Sequence, residues 1–164
     1  MEKSLPPLPG LTAESPADAA GVEALIALAF GPGRFVKTAE RLRETNRLIP
    51  ELSFVARDGR RIVGCVRQWP IRIGGAPAVF LGPFAVDPAW RSRGLGAALI
   101  ERAVQAARDS GHGMILLVGD APYFAPLGFR PAPDARLPGP VDQRRVLALP
   151  LGLDQTLPAG PVTV

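Results

Sequence analysis

Residues 80–103 read FLGPFAVDPAWRSRGLGAALIERA, and a change of period inside this stretch decides the fold. Phe80 to Val86 is apolar on both faces, as in a strand covered from two sides. From Leu95 onward the apolar positions fall at Leu95, Leu99, Ala103 and Ala107, with Ile100 and Val104 beside them, which is the spacing of one helical face. Glu101, Gln105, Arg108 and Asp109 lie opposite, and Gly111 supplies a stop, so the spacing predicts a helix over 94–109. Gly82-Pro83 removes a ladder donor and relaxes one backbone constraint, which predicts a bulge in the strand. Between strand and helix lies a loop carrying Arg91, Ser92, Arg93, Gly94 and Gly96.

Working outward, Met114–Val118 is a continuous apolar run expected of a buried strand. The strand-helix-strand unit from Ala78 to Val118 is long enough for a right-handed crossover, so its two strands are expected to be parallel. Upstream, Leu52–Arg57 and Arg61–Ile73 read as a hairpin around Asp58-Gly59, followed by a third strand, Ala78–Val86, after Gly74-Gly75. Ser15-Pro16 opens a helix with Val22, Leu25, Ile26 and Ala29 on one face, ending at Gly31. A second, weaker helix is expected over 35–45, with Leu42 toward the core and Glu40, Arg41, Arg43 and Glu44 toward water. Downstream come a helical turn over 121–126, a break at Gly128-Phe129 and a last strand over 144–149. Residues 1–11 read as an unstructured Pro-rich tail, leaving 12–164 as one domain. The class is mixed α/β, with a mostly antiparallel sheet flanked by helices.

Composition narrows the function. A chain of 164 residues, 47% hydrophobic and 21% charged, is enough for a single core and unlike a disordered chain. No apolar run approaches the roughly 20 residues of a membrane span, and the N-terminus lacks the apolar stretch of a secretory signal. One cysteine, Cys65, allows no internal disulfide and suits a reducing cytoplasm. The charge of +4 rests on 19 basic residues, of which only Lys3 and Lys37 are lysines. The arginines suit phosphate, but their dispersal from Arg34 to Arg145 argues against a nucleic-acid stripe and leaves room for a small phosphate pocket. Cys65 is expected in the core and His112 at the surface, and no metal-ligating set is visible.

That pocket is expected in the loop of residues 91–97. Free N–H groups at a helix start, glycines that admit a ligand to the main chain and the helix dipole together cradle a pyrophosphate. Two rivals remain. One is a glycine-rich turn that packs the helix closely on the sheet. The other is a dinucleotide fingerprint with Gly94 and Gly96 as first glycines and Asp120 as ribose acceptor. The second fits poorly, since Leu99 holds the third glycine position and seven residues separate Val86 from Gly94.

Arg91-x-x-Gly94-x-Gly96 resembles the acyl-CoA motif of the GNAT superfamily of N-acetyltransferases. The wider segments PADAAGVEALIALAFGPGRF, LGPFAVDPAWRSRGLGAALI and LLVGDAPYFAPLGFRP resemble its YhbS-like group. The resemblance implies a GNAT-like fold with a splayed central parallel strand pair, acetyl-CoA as cosubstrate without metal, and an amine acceptor. It implies that Arg91, Ser92, Arg93, Gly94, Leu95, Gly96 and Ala97 hold the pyrophosphate. It also implies that backbone groups of Phe84, Ala85 and Val86 line the wedge, where an N–H can stabilise the thioester oxygen during direct attack. Many family members carry a tyrosine four residues before the Gly-Phe pair to protonate the departing thiolate. Here that position is Phe124 and the neighbour is Tyr123; the two are about 100° apart on a helix. Both are expected beside the cofactor, with Tyr123 as candidate acid and Asp120 or Glu51 as candidate base. The acceptor is expected to face Arg67 to Pro70, Glu51 and the second helix, a surface with few acids, so a polyamine is expected to be a poor substrate. A homodimer, whose partner could add carboxylates, stays open. The alternative function is an acyl-CoA sensor or interaction module with little turnover.

Overall fold

The computed structural model describes residues 7–30 and 38–164. In chain order the elements are β1 (Leu11–Ala13), α1 (Ala19–Phe30), α2 (Thr38–Arg41), β2 (Phe54–Asp58), β3 (Arg61–Ile73), β4 (Ala76–Val86) and α3 (Leu95–Asp109). They continue with β5 (Met114–Val118), α4 (Ala121–Phe124), β6 (Arg130–Pro131), β7 (Ala135–Arg136), β8 (Val146–Pro150) and β9 (Gly160–Thr163). The sheet runs β1-β2-β3-β4-β5-β8-β6, with β9 on the end of β3 and β7 on β9.

The expected parallel pair is present: β4 and β5 run side by side through Val79↔Ile115 and Phe80↔Leu116, and pairing stops there. The expected bulge lies just beyond. Val66 faces Phe84 and Gln68 faces Leu81, so Arg67 alone opposes the two residues Gly82 and Pro83, whose peptide is cis. The Trp69 indole donates to the Gly82 carbonyl at 2.5 Å and holds the bulge to β3.

Both faces of the sheet are covered. On one, Leu95, Leu99, Ile100 and Ala103 of α3 pack on Val66, Val79, Leu81 and Leu117. On the other, Val22, Leu25 and Ile26 of α1 pack on Val55, Cys65 and Ala85. Leu42, after α2, packs with Trp69, Phe80, Leu116 and Val146 on that same face. At about 25 cal/mol per Å² of apolar surface, this two-sided burial holds the sheet together while the β4–β5 edge stays open.

Several boundaries differ from the sequence expectation. Leu11 belongs to a strand: β1 pairs with β2 through Leu11↔Ala56. The strand expected from Leu52 starts at Phe54, because Pro50 opens a 3-10 turn that occupies Pro50–Leu52. Of the helix expected over 35–45, residues 35–37 lie outside the described residues, as does the Gly31 stop. The rest is helical only to Arg41, since the Asn46 amide donates to the Leu42 carbonyl at 3.2 Å and to the Pro70 carbonyl at 2.7 Å, turning the chain back onto β3. Strands β6, β7 and β9 are two to four residues long, too short to carry an alternation of their own in the sequence. Among the described residues no helix is long and apolar enough to cross a membrane.

The start of α1 is fastened by Asp18, whose buried carboxylate accepts from the Ser15 N–H at 2.9 Å and from the Arg57 guanidinium at 2.5 and 2.7 Å. The Arg57 bonds, followed by those to Ser15, overcome burial and hold the Asp18 pKa at about 2 against an ordinary 3.8. The unfolded chain therefore takes up this proton first on acidification, and the stabilisation, complete above the unfolded value, is lost as pH falls from about 4 toward 2. Asp18→Asn should lower unfolding free energy at pH 7 by about 1–3 kcal/mol and flatten its pH dependence below pH 4. Urea titrations at several pH values read both effects, and an unchanged acid limb would reject the assignment.

Candidate active site

Where β4 leaves β5, a cavity of about 890 Å³ passes through the sheet. Its walls include Leu81 and Leu117, which belong to the α3 face, and Phe80 and Val118, which belong to the α2 face. The cavity thus has one mouth on each side.

The exposed edge of β4 is chemically specific. Asp87 donates its N–H to the Val63 carbonyl, so with the register Val86↔Gly64, Ala85↔Cys65 and Phe84↔Val66 the alternation aims the main-chain groups of Asp87 and Ala85 at β3. Those of Phe84 and Val86 therefore point at the open edge, and the Val86 carbonyl accepts from Arg91 Nε at 3.2 Å. Ala85, expected to offer backbone groups, is buried on the cavity wall with its main chain directed at Cys65 of β3.

At the α3 mouth the chain turns through Ser92 and Gly94, with φ of 61° and 87°, into the first turn of α3. Gly94 adopts a conformation that costs other residues strain. The N–H groups of Leu95, Gly96 and Ala97 open a helix and have no intrahelical acceptor. A Cβ on Gly96 would come within 2.5 Å of the Tyr123 hydroxyl and 3.0 Å of the Phe84 ring, so only glycine leaves this mouth its present shape. Arg91, Ser92 and Gly96 line the cavity. Leu95 turns its side chain fully into the core, and the Arg93 guanidinium lies 4.1 Å from the centre of the Trp90 ring.

The two neighbours on α4 part as helix geometry requires. Both line the cavity, as expected, but Phe124 is buried in the core, edge-on to Phe129 at 5.7 Å, whereas Tyr123 is 42% exposed with its hydroxyl over Gly96. Burial raises the Tyr123 pKa, so the phenol keeps its proton through the neutral range. Asp120 also lines the cavity, at the end of β5. Its side chain does not cap α4; its carbonyl instead accepts from the Tyr123 and Phe124 N–H groups. Glu51 is not brought to the site: it sits exposed on the 3-10 turn before β2, away from the cavity walls.

A family model described as the acetyltransferase (GNAT) family matches residues 22–129. The chain belongs to that family. It is 29% identical over 119 residues to YhbS, an uncharacterized N-acetyltransferase of Escherichia coli K12, spanning 71% of this chain and 70% of that one. The crystal structure of Escherichia coli YhbS in complex with CoA matches with a TM-score of 0.81 at 26% identity, over 98% of this chain and 92% of that one. A GNAT acetyltransferase of Brucella melitensis in complex with acetyl-CoA matches with a TM-score of 0.73 at 27% identity, over 94% of each chain.

The α2 mouth of this GNAT domain was read only in part from sequence. Arg67, Gln68 and Trp69, expected to face an acceptor, are buried. Arg67 is held by Glu14 at 2.7 Å and Glu23 at 2.9 Å, and Trp69 by Gly82. The wall is made instead by Ile26, Ala29 and Phe30 of α1, Arg41 and Arg43 around the end of α2, and residues 140–142 with Arg145 ahead of β8. No periodic signal marks residues 140–145, which are a loop and a 3-10 turn. His112, expected at the surface, is half-buried, and its backbone N–H donates to the Ala107 carbonyl in the last turn of α3.

Among the described residues no cluster of His, Cys, Asp and Glu is placed to hold a metal. Cys65 is fully buried under α1, as expected, and burial pushes its thiol up to about 12. A thiol this high is no nucleophile at neutral pH. Native protein at pH 8 should therefore resist iodoacetamide, while urea-unfolded protein is alkylated at Cys65; mass spectrometry distinguishes the two, and rapid labelling of the native state would contradict the buried placement.

Proposed function

We propose that this protein is an N-acetyltransferase that moves an acetyl group from acetyl-CoA to an amine by direct attack within a ternary complex, the work of one domain that begins with β1 and so takes in Leu11 as well as residues 12–164. The observation that carries this is the cavity through the sheet, with the α3 N-terminus and its open glycines at one mouth and a separate second mouth opposite. Two reactants can then meet at the β4–β5 opening from opposite sides, which direct transfer requires. The CoA and acetyl-CoA complexes of the YhbS and Brucella proteins support the choice of donor, and the cavity fits it. Leu95, Gly96 and Ala97 present N–H groups to a pyrophosphate, Arg91 and Ser92 stand beside them, and Phe84 and Val86 offer an unpaired strand edge to the pantetheine arm.

Acetyl-CoA supplies an acyl carbon bonded to a thiol leaving group; the N–C bond forms as the C–S bond breaks. Asp120 is the carboxylate on the cavity wall that accepts a proton from the amine. An N–H at the open edge of β4 meets negative charge growing on the carbonyl oxygen. Tyr123, which keeps its proton through the neutral range, returns one to the departing sulfur. The rival reading, an acyl-CoA sensor, draws on Phe124 at the usual tyrosine position.

Three variants separate these roles. Gly96→Val should weaken CoA binding at least tenfold by calorimetry, since the added atoms displace Tyr123 and crowd the mouth. Tyr123→Phe should lower kcat by about 10²–10⁴-fold, the usual worth of a general acid, while CoA affinity changes less than threefold. Phe124→Tyr should not rescue it, because that ring, though on the cavity wall, is nearly fully buried and packed edge-on against Phe129. Wild type that binds CoA and acetylates nothing in a broad amine panel would favour the sensor.

A further inference from the structure

The second mouth is basic in a way that acetyl-CoA does not explain. Arg41, the last residue of α2, and Arg43, in the turn after it, line this mouth, and Arg145 lines the same cavity beside the end of β5, its Nε 3.4 Å from the Gly119 carbonyl. Arg43 gives one amino group to Glu40 and turns the other, Nη1, toward the bulge, 3.5 Å from where a Gly82 Cβ would stand. The carboxylates around this mouth are already engaged by guanidinium groups: Glu23 by Arg67, Glu40 by Arg43 and Asp142 by Arg144. Asp120, the remaining carboxylate on the wall, is the one assigned above to the amine proton. Arg41 is exposed and makes no side-chain hydrogen bond or ion pair among the described residues; Arg145 donates weakly to the Gly119 carbonyl, and its charge also acts on Asp142, whose hydrogen bonds come from Arg144. Between these charges the wall is apolar, with Ile26, Phe30, Phe80 and Val141.

Resting on the acetyl-transfer reading, we infer that the acceptor is a small amine carrying an anionic group, carboxylate or phosphate, which Arg41 and Arg145 bind while the amine reaches the β4–β5 opening. A guanidinium matches either anion with paired N–H donors. A polycationic amine meets like charge at the same place and is disfavoured.

Two matched pairs of probes test this: L-phenylalanine against L-phenylalaninamide, and O-phosphoethanolamine against ethanolamine, with thiol release from saturating acetyl-CoA as readout. The anionic member of at least one pair should have kcat/KM about tenfold or more above its neutral partner, mostly through KM, because a site built for a polar group rejects the analogue lacking it. The amide carries the less basic amine, so any bias from protonation runs against the expected order. Arg41→Ala and Arg145→Ala should each pull that ratio toward one. Preference in the first pair alone identifies a carboxylate, in the second alone a phosphate. Calorimetry of the preferred probe with CoA-loaded protein reads the same contact without turnover and should show its affinity falling in both variants. No product from either anionic probe, no preference over the neutral partners, or a preference that survives both substitutions overturns the inference. Acetylation of neutral amines alone overturns it and leaves acetyl transfer standing, whereas wild-type protein that does not bind CoA overturns the proposed function itself.

Discussion

The structure depends on the early end of the β4–β5 pairing. After Phe80 and Leu116 the strands have nothing further to share, because two residues of β4, Gly82 and Pro83, must fit opposite the single residue Arg67. Proline cannot donate to a ladder, and the extra residue bends the strand away. The opened edge leaves main-chain groups of Phe84 and Val86 without a strand partner, at the cost of the ladder hydrogen bonds they would otherwise make, although the Val86 carbonyl accepts from Arg91. A fold keeps such an edge where water or a ligand completes it. Burial on both faces of the sheet and the Trp69–Gly82 hydrogen bond offset the cost.

The same bulge organises the charges. Arg67, opposite it, is buried between Glu14 beyond β1 and Glu23 on α1, so β1, α1 and β3 are tied together directly beneath the second mouth. Removing one member of a buried pair of this kind typically costs about 3–5 kcal/mol. The network therefore keeps Ile26 and Phe30 of α1 in the cavity wall. Arg41, Arg43 and Arg145 reach the opening from elements far apart in the chain, and their convergence gives the mouth its sign.

Chemistry at the first mouth turns on one step of helix rotation. Tyr123 and Phe124 are adjacent, and α4 is four residues long, yet one ring enters the core and the other stands over the start of α3. The phenol reaches the cavity from a position one residue removed from that of the family pattern. Gly96 makes room for it, so the helix that would bind phosphate and the ring that would supply a proton are in contact.

Local order was legible in the sequence wherever one signal dominated. The period of α3, the apolar run of β5, the turn at Asp58-Gly59 and the Gly82-Pro83 bulge each follow from a few neighbouring residues, and with them come the parallel pair and the glycine loop. Pairing across long separations was not legible. Leu11–Ala13 and Gly160–Thr163 have weak propensity of their own and become strands because β2 and β3 offer them edges. Glu51 looked available as a base until the 3-10 turn at Pro50 set it outside the cavity, while Arg41 and Arg43 looked like a solvated face until the chain closed over the bulge. A sequence states what each residue can do over a few positions. Which residues share a cavity is decided by packing between segments that may be a hundred residues apart, and at the second mouth of this domain packing alone brings the arginines together.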